Sequence, residues 1–374
     1  MDYVTQSQAL DEEILGVISA WHKRGVDLSD DAFNDLALRL FAYQLRYNEP
    51  YARYCERLGV SLEAFPTSWE GIPAVPAPAF KEAALCTFDP KSAALVFETS
   101  GTTDGKPGRH YLETTALYDA ALLAGFDRFV RPDGAHLRYF NLVPSPLEAP
   151  HSSLGYMMLR VERLRGDGAS GWYLHAEGLH FDALREDLQT AIVQNRPVCF
   201  AATAFALVHL LDAMEAHGLS IALPLGSRVM ETGGFKGRSR VVSREELYVR
   251  LCDRFGIGPD AIVAEYGMTE LGSQFYDRLP DDAPVAGRRK VSPPWLRARV
   301  VGPDRRTLPN GETGSLLHVD LANRSSCIAI QTEDLGVMED DGFVLLGRLG
   351  DSDPRGCSLD AEDLWERRSA SLSR

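Results

Sequence analysis

The sequence predicts an α/β fold, a parallel helix-covered sheet followed by a small, mostly antiparallel β module. Three observations predict it. Between residues 95 and 265, short apolar strand-type runs alternate with helical ones, the rhythm of a parallel sheet with its ligand crevice at the carboxyl ends of the strands. At least three of these strands run directly into a turn rich in glycine or hydroxyls. From about Pro293 the rhythm changes to short β-type runs broken by Pro309-Asn310-Gly311 and Asp340-Asp341-Gly342 turns.

In chain order, residues 8–58 read as mainly helical. Ile14, Ile18 and Trp21, then Phe33, Leu36, Leu40, Phe41 and Leu45, recur at helical spacing. Pro66, Pro73, Pro76 and Pro78 make 65–80 an irregular connector, ending in a short helix over Phe80–Leu85. Leu95–Phe97 is a strand, and Thr114 or Thr115 caps a helix running through Phe129. Strands follow at Arg138–Val143, Pro197–Ala202, Arg228–Thr232 and Ala261–Glu265. Thr203 caps a helix stopped by Gly218, and Ser243-Arg244-Glu245-Glu246 opens another as a capping box. Leu296–Val301, Ser315–Val319, Ser326–Gln331, Val337 and Phe343–Leu346 are the short runs of the β module. The expected divisions are 1–292 for the α/β part, 293–351 for the β subdomain and 352–374 for a short tail.

Composition bounds the function. With 374 residues, 45% hydrophobic and 25% charged, the chain is long enough for a buried core and ordinary for a globular protein. A net charge of −14 leaves no basic excess for nucleic acid or an anionic membrane. No apolar run approaches a membrane span, the N-terminus lacks a signal-peptide core, and the six scattered cysteines form no CxxC pair. A cytoplasmic protein with reduced thiols is expected.

The chemistry concentrates in the loop Thr99-Ser100-Gly101-Thr102-Thr103-Asp104-Gly105-Lys106-Pro107-Gly108-Arg109. Glycines bring backbone N–H groups close to an anion, hydroxyls add donors, and cations supply counter-charge: a phosphate cradle. By composition alone a surface linker is the favoured reading, and the downstream motifs reverse that. Three later stretches echo it: Glu231-Thr232-Gly233-Gly234-Phe235-Lys236-Gly237-Arg238; Glu265-Tyr266-Gly267-Met268-Thr269-Glu270, ending in a carboxylate suited to Mg²⁺; and Asp334-Leu335-Gly336 with Gly347-Arg348-Leu349-Gly350-Asp351. A P-loop NTPase needs G-x-x-x-x-G-K-[ST], but Gly101 and Gly105 are one residue too close and Pro107 replaces the hydroxyl. A serine hydrolase needs G-x-S-x-G, and Glu98 stands two residues before Ser100.

Ser100–Gly105, Tyr266–Glu270, Asp334-Leu335-Gly336 and Gly347–Asp351 follow the order and spacing of the adenylate-forming enzymes, which the chain resembles over roughly 75–358. It looks most similar to the acyl-protein synthetase (LuxE-like) branch, including short phenazine-pathway-type relatives, through Met230–Arg238 and Arg355-Gly356-Cys357-Ser358. The resemblance implies the large N-terminal domain of such an enzyme, with parallel helix-covered sheets and a β-barrel-like subdomain, without the usual mobile C-terminal domain. It also implies ATP and Mg²⁺ as cofactors. Thr99, Ser100, Gly101, Thr102, Thr103 and Gly105 would wrap the phosphates, with Lys106 or Arg109 as the cation. Gly233, Gly234, Glu265, Tyr266, Gly267 and Met268 would surround adenine, with Tyr266 stacked on the base. Thr269 would meet the α-phosphate, Glu270 would bind the metal, and Asp334 with Arg348 would hold the ribose. His151, Phe205 and Gly267 fall near the expected carboxylic-acid pocket; as a lone residue His151 is equally structural, and an aromatic on a helix such as Phe205 is more often core.

Two departures shape the expected reaction. The loop reads TSGTTDGKPGR where the family has T-S-G-T-T-G-x-P-K, and only 374 − 351 = 23 residues follow Asp351. The catalytic lysine normally lies beyond that hinge, so Lys236, Arg238 or another protein would supply the cation. In acyl-protein synthetases a cysteine near the C-terminus accepts the acyl group, which implies Cys357 as nucleophile; an isolated tail cysteine is the plainer reading. The expected function is activation of a carboxylic acid, fatty or aromatic and in the latter case from secondary metabolism, as an acyl-adenylate. Acyl transfer to a thiol or another acceptor would follow, with a reductase or acyl-acceptor protein as partner. The rival is an adenylate-binding subunit that serves a partner enzyme.

Overall fold

The computed structural model describes residues 2–99, 106–233, 242–279 and 284–348. The chain forms α1 (Tyr3–Arg24), α2 (Asp30–Tyr47), α3 (Glu49–Arg57), β1 (Val75–Pro76), β2 (Leu95–Glu98), β3 (Arg109–Leu112), α4 (Ala116–Phe129) and β4 (Arg138–Leu142). Next come α5 (Ser153–Arg165), β5 (Gly171–Trp172), β6 (Leu174–His175), β7 (Gly178–Leu179), α6 (Phe181–Val193), β8 (Val198–Thr203) and α7 (Ala204–Ala216). β9 (Arg228–Thr232), α8 (Arg244–Phe255), β10 (Ile262–Tyr266), β11 (Phe275–Asp277), β12 (Arg289–Val291), β13 (Leu296–Val301), β14 (Thr313–Asp320), β15 (Ala329–Glu339) and β16 (Gly342–Arg348) complete it.

Contacts gather the chain into two compact units. The first comprises Met1–Gly125, Met268–Phe275 and Arg289–Leu349; the second contains Phe126–Gly267 and Tyr276–Arg288. In the second unit the strands run in the order β10-β9-β8-β4-β5, all parallel. β4, β8 and β10 are buried along their whole length, the mark of a sheet covered on both faces. Phe140, Phe200, Leu207, Leu211, Leu251 and Phe255 share its core. The helix signals act as read. Thr203 Oγ1 accepts from Ala206 N–H at 3.1 Å, Ser243 Oγ accepts from Glu246 N–H at 3.1 Å, and Gly256 closes α8 at φ 63°.

In the first unit β13-β14-β15-β16-β12 is an antiparallel meander, with β1 added parallel to β15. Asp340 at φ 38° and Gly311 at φ 86° supply the left-handed residues its turns need. β2 and β3 form a separate antiparallel hairpin.

Two expected elements differ. The helix at Phe80–Leu85 is instead a 3₁₀ turn over Ala77–Lys81, with a proline in its first turn. Prolines set its entry, and Thr87 N–H leaves to bond Ser325 C=O at 3.0 Å, so the chain turns away before an α-helix closes. The runs Ser326–Gln331 and Val337 are joined as one strand, Ala329–Glu339, bulged between Leu335 and Gly336. A Cβ on Gly336 would meet Leu316 Cδ2 at 2.9 Å and Val344 O at 3.0 Å, so glycine there permits close packing and does not mark a strand end.

Candidate active site

In the second unit the strand ends lie level. Thr232 is opposite Thr203 on one side and Glu265 on the other. The turns that follow β8, β9 and β10 therefore leave the same edge, the ligand-binding edge of a parallel sheet. Thr232 Oγ1 donates to Glu265 Oε2, tying the Thr232-Gly233 turn to the Glu265-Tyr266-Gly267 turn. Gly233 takes φ 87°, a conformation only glycine adopts freely. Tyr266 is 8% exposed. Phe205 sits half-buried in the first turn of α7, its ring edge-on to His209 with centroids 4.3 Å apart. His151 is exposed just before Ser152, which caps α5 by accepting from Gly155 N–H at 3.1 Å. One level below the edge, Glu231 is fully buried and ion-paired with Arg244 at 3.3 Å.

In the first unit the hairpin of β2 and β3 carries the phosphate-type loop. Its base is zipped. Thr99 N–H donates to Gly108 C=O at 2.9 Å, Gly108 N–H returns to Thr99 Oγ1 at 2.8 Å, and Arg109 pairs with Glu98 at 2.8 Å. Arg109 is thus spent on the hairpin stem. Lys106 is exposed, with Glu82 3.8 Å from its ammonium.

Asp334 and Arg348 stand opposite one another across β15 and β16, joined by an ion pair at 2.9 Å. Two sequence motifs 14 residues apart become one cross-strand device. Glu270 is 7% exposed, and burial pushes its carboxyl up to about 7 against its own backbone N–H bond and the Arg348 charge, with Asp334 and Glu333 adding to the rise. The backbone of its turn is held tightly. Thr269 C=O lies 2.8 Å from His110 Nδ1, Asn323 Nδ2 donates to Glu270 C=O at 2.8 Å, and Gly272 N–H donates to Asp320 Oδ2 at 2.9 Å.

A divalent cation fits this chemistry. Glu270 sits in an anionic setting whose nearby guanidinium is already engaged by Asp334. Among the described residues no three His, Cys, Asp or Glu side chains gather as a ready-made metal cage.

Ser100, Gly101, Thr102, Thr103, Gly105, Gly234, Lys236, Arg238, Asp351 and Cys357 lie outside the described residues. The other cysteines are poor nucleophiles: Cys55, Cys86, Cys199 and Cys327 are buried, and burial pushes the Cys199 thiol up to about 12. His110 and Asn323 lie outside the sequence motifs, and nothing in those motifs signals the pairing of Glu231 with Arg244. Their partners are 159, 53 and 13 residues away, and no local spacing signals them.

The fold class is that of the adenylate-forming ligases. The chain superposes on the structure of 2-hydroxyisobutyryl-CoA ligase in complex with 2-HIB-AMP and CoA with a TM-score of 0.63, at 18% identity over 86% of this chain and 68% of that one. An open conformation of that ligase gives 0.62 at 16% identity, covering 86% and 71%. The family described as acyl-protein synthetase, LuxE, matches residues 4–364, and the chain belongs to it. A relative in Vibrio harveyi, the long-chain-fatty-acid–luciferin-component ligase, is 24% identical over 332 residues, 85% of this chain and 84% of the relative. The chain is a ligase of the adenylate-forming kind.

Proposed function

We propose that the protein uses ATP and Mg²⁺ to convert a carboxylic acid to an acyl-adenylate, releasing pyrophosphate, and then passes the acyl group to a thiol. The observation that carries this reading is the Asp334–Arg348 cross-strand pair beside the buried Glu270 carboxyl. Adenylation brings a carboxylate oxygen onto an α-phosphate; the new P–O bond forms as pyrophosphate leaves. Two anions meet, so the site needs donors and counter-charge where charge develops. Asp334 accepts from the ribose hydroxyls and Arg348 orients that carboxylate. Thr269 donates toward the α-phosphate, Glu270 holds the metal, and Thr99–Lys106 surrounds the β- and γ-phosphates. Mg²⁺, when bound, neutralises phosphate charge and polarises the bond that breaks. Gly233, Gly234 and Glu265–Met268 frame adenine, Lys236 supplies a cation, and Gly267, His151 and Phe205 line the acid.

In the second step the Cys357 thiolate attacks the acyl carbonyl and AMP departs as the leaving group, leaving a thioester. A partner acyl acceptor or reductase then takes the acyl group. A long-chain fatty acid is the first acid to try, given the substrate in the Vibrio harveyi relative's name. No helix among the described residues is long and apolar enough to cross a membrane.

The test is ATP–pyrophosphate exchange with tetradecanoate, 2-hydroxyisobutyrate and benzoate, followed by intact-mass analysis. Acid-dependent exchange with an acyl adduct lost in Cys357→Ser is expected. No exchange with any of the acids would refute adenylation, and an adduct surviving Cys357→Ser would refute the thioester.

A further inference from the structure

The Thr269–Glu270 turn is gripped by a histidine that stands on the phosphate-loop hairpin. His110 lies on β3, one residue past the Glu98–Arg109 stem pair, and is 1% exposed. Its Nδ1 is 2.8 Å from Thr269 C=O. A carbonyl only accepts, so Nδ1 carries the proton and donates. The ring packs edge-on against Phe80, centroids 6.1 Å apart, with Asn323 beside it. Asn323 itself donates to the next carbonyl, that of Glu270 at 2.8 Å, and to Cys327 C=O at 3.0 Å. Two consecutive carbonyls are thus held by two side chains, and one of those side chains belongs to the hairpin that bears Thr99 and Lys106.

We propose that His110 is a positioning residue for adenylation: its Nδ1–H bond to the Thr269 carbonyl fixes Thr269 and Glu270 to the β2–β3 hairpin that bears Thr99 and Lys106. The inference rests on the function proposed above. Groups that act on one phosphate chain must keep their spacing, and a misplacement of about 1 Å costs on the order of a hundred-fold in rate. Direct bonding between the two phosphate-facing segments removes the freedom to drift apart. A histidine serving stability alone would satisfy the same carbonyl, so the test has to separate the two roles.

Three variants do so. His110→Asn places an amide N–H near the Nδ1 position, His110→Gln moves the donor one bond further, and His110→Phe keeps the ring without a donor. Calorimetric binding of Mg²⁺·ATP, exchange kinetics with the best acid of the panel, and thermal unfolding are measured for each. The expected result is a kcat for exchange about ten-fold lower or worse in Phe and Gln. Their Kd for Mg²⁺·ATP rises several-fold, the acid KM is unchanged, and Asn recovers both to within about three-fold of wild type. If Phe does not fold, Gln carries the comparison. The proposal is overturned if folded Phe or Gln variants bind Mg²⁺·ATP and turn over as wild type does, or if Asn is as impaired as Phe. Wild type that binds Mg²⁺·ATP but exchanges with no acid refutes the activity alone, leaving the binding comparison to decide His110. Wild type that does not bind Mg²⁺·ATP refutes both.

Discussion

In the second unit, buried acids are answered by the protein itself. Glu231, fully buried, has Arg244 at 3.3 Å, and Asp277 has Arg288 at 3.6 Å and the Ala264 N–H at 3.1 Å. In the first unit Glu270 is buried to a similar degree, but its nearby guanidinium, Arg348, is engaged by Asp334. Its carboxyl is pushed up to about 7, whereas Glu231 and Asp277 have cations in contact. Charges neutralised internally serve the fold; a charge left in an anionic setting is a place for a ligand to complete.

The largest expected effect breaks the compensated side. Arg244→Met leaves Glu231 buried without its cation and destabilises the protein by about 3–5 kcal/mol, read as a fall in denaturant midpoint. An unchanged midpoint would mean that the pair does not neutralise Glu231.

Removing the uncompensated charge works in the opposite direction. The ordinary Glu270 value is 4.5 and the folded one about 7. A raised value means that the folded state holds a proton the unfolded state has lost between these limits. The stabilisation is complete below pH 4.5 and is lost as pH rises through 7. Glu270→Gln cannot ionise, so it matches wild type near pH 4.5 and exceeds it by about 3 kcal/mol above pH 8, by unfolding at both pH values. Lower stability than wild type at pH 8 would show that the charged carboxylate is satisfied within the protein.

Asp334→Asn probes the ligand side. It weakens the pair with Arg348 and the proposed acceptor for ribose, and exchange falls about a hundred-fold with little change in unfolding. A loss of stability without a loss of exchange in the folded fraction would make the pair a strut. The smallest effect is the control. Thr203→Ala, at the cap of α7, costs about 1 kcal/mol and leaves the Mg²⁺·ATP affinity of the first unit's residues unchanged.

What could be read from the sequence follows the same division. Arg228–Thr232 and Leu296–Val301 are strands to the residue, and Thr203 and Ser243 cap as expected, because strand patterning and capping are local chemistry. The motifs containing Asp334 and Arg348 were legible as motifs. Their direct pairing was not, since it depends on a register with a bulge at Leu335/Gly336. The helices Ser153–Arg165 and Phe181–Val193 are not among the elements expected from the sequence. His110 stands in none of the sequence motifs, and only the fold brings it to Thr269. Local rules carry the elements; long-range contacts carry the site's precision.

The proposed role of Glu270 is to hold the metal of a metal-bound nucleotide. The most direct test is calorimetric Mg²⁺·ATP binding at saturating Mg²⁺, at pH 6 and pH 8, for wild type and Glu270→Gln. A proton held at about 7 must leave before the metal enters. Wild-type affinity should therefore rise about ten-fold from pH 6 to pH 8, while Glu270→Gln binds weakly and equally at both. Equal, pH-independent affinity in the two proteins would contradict the claim.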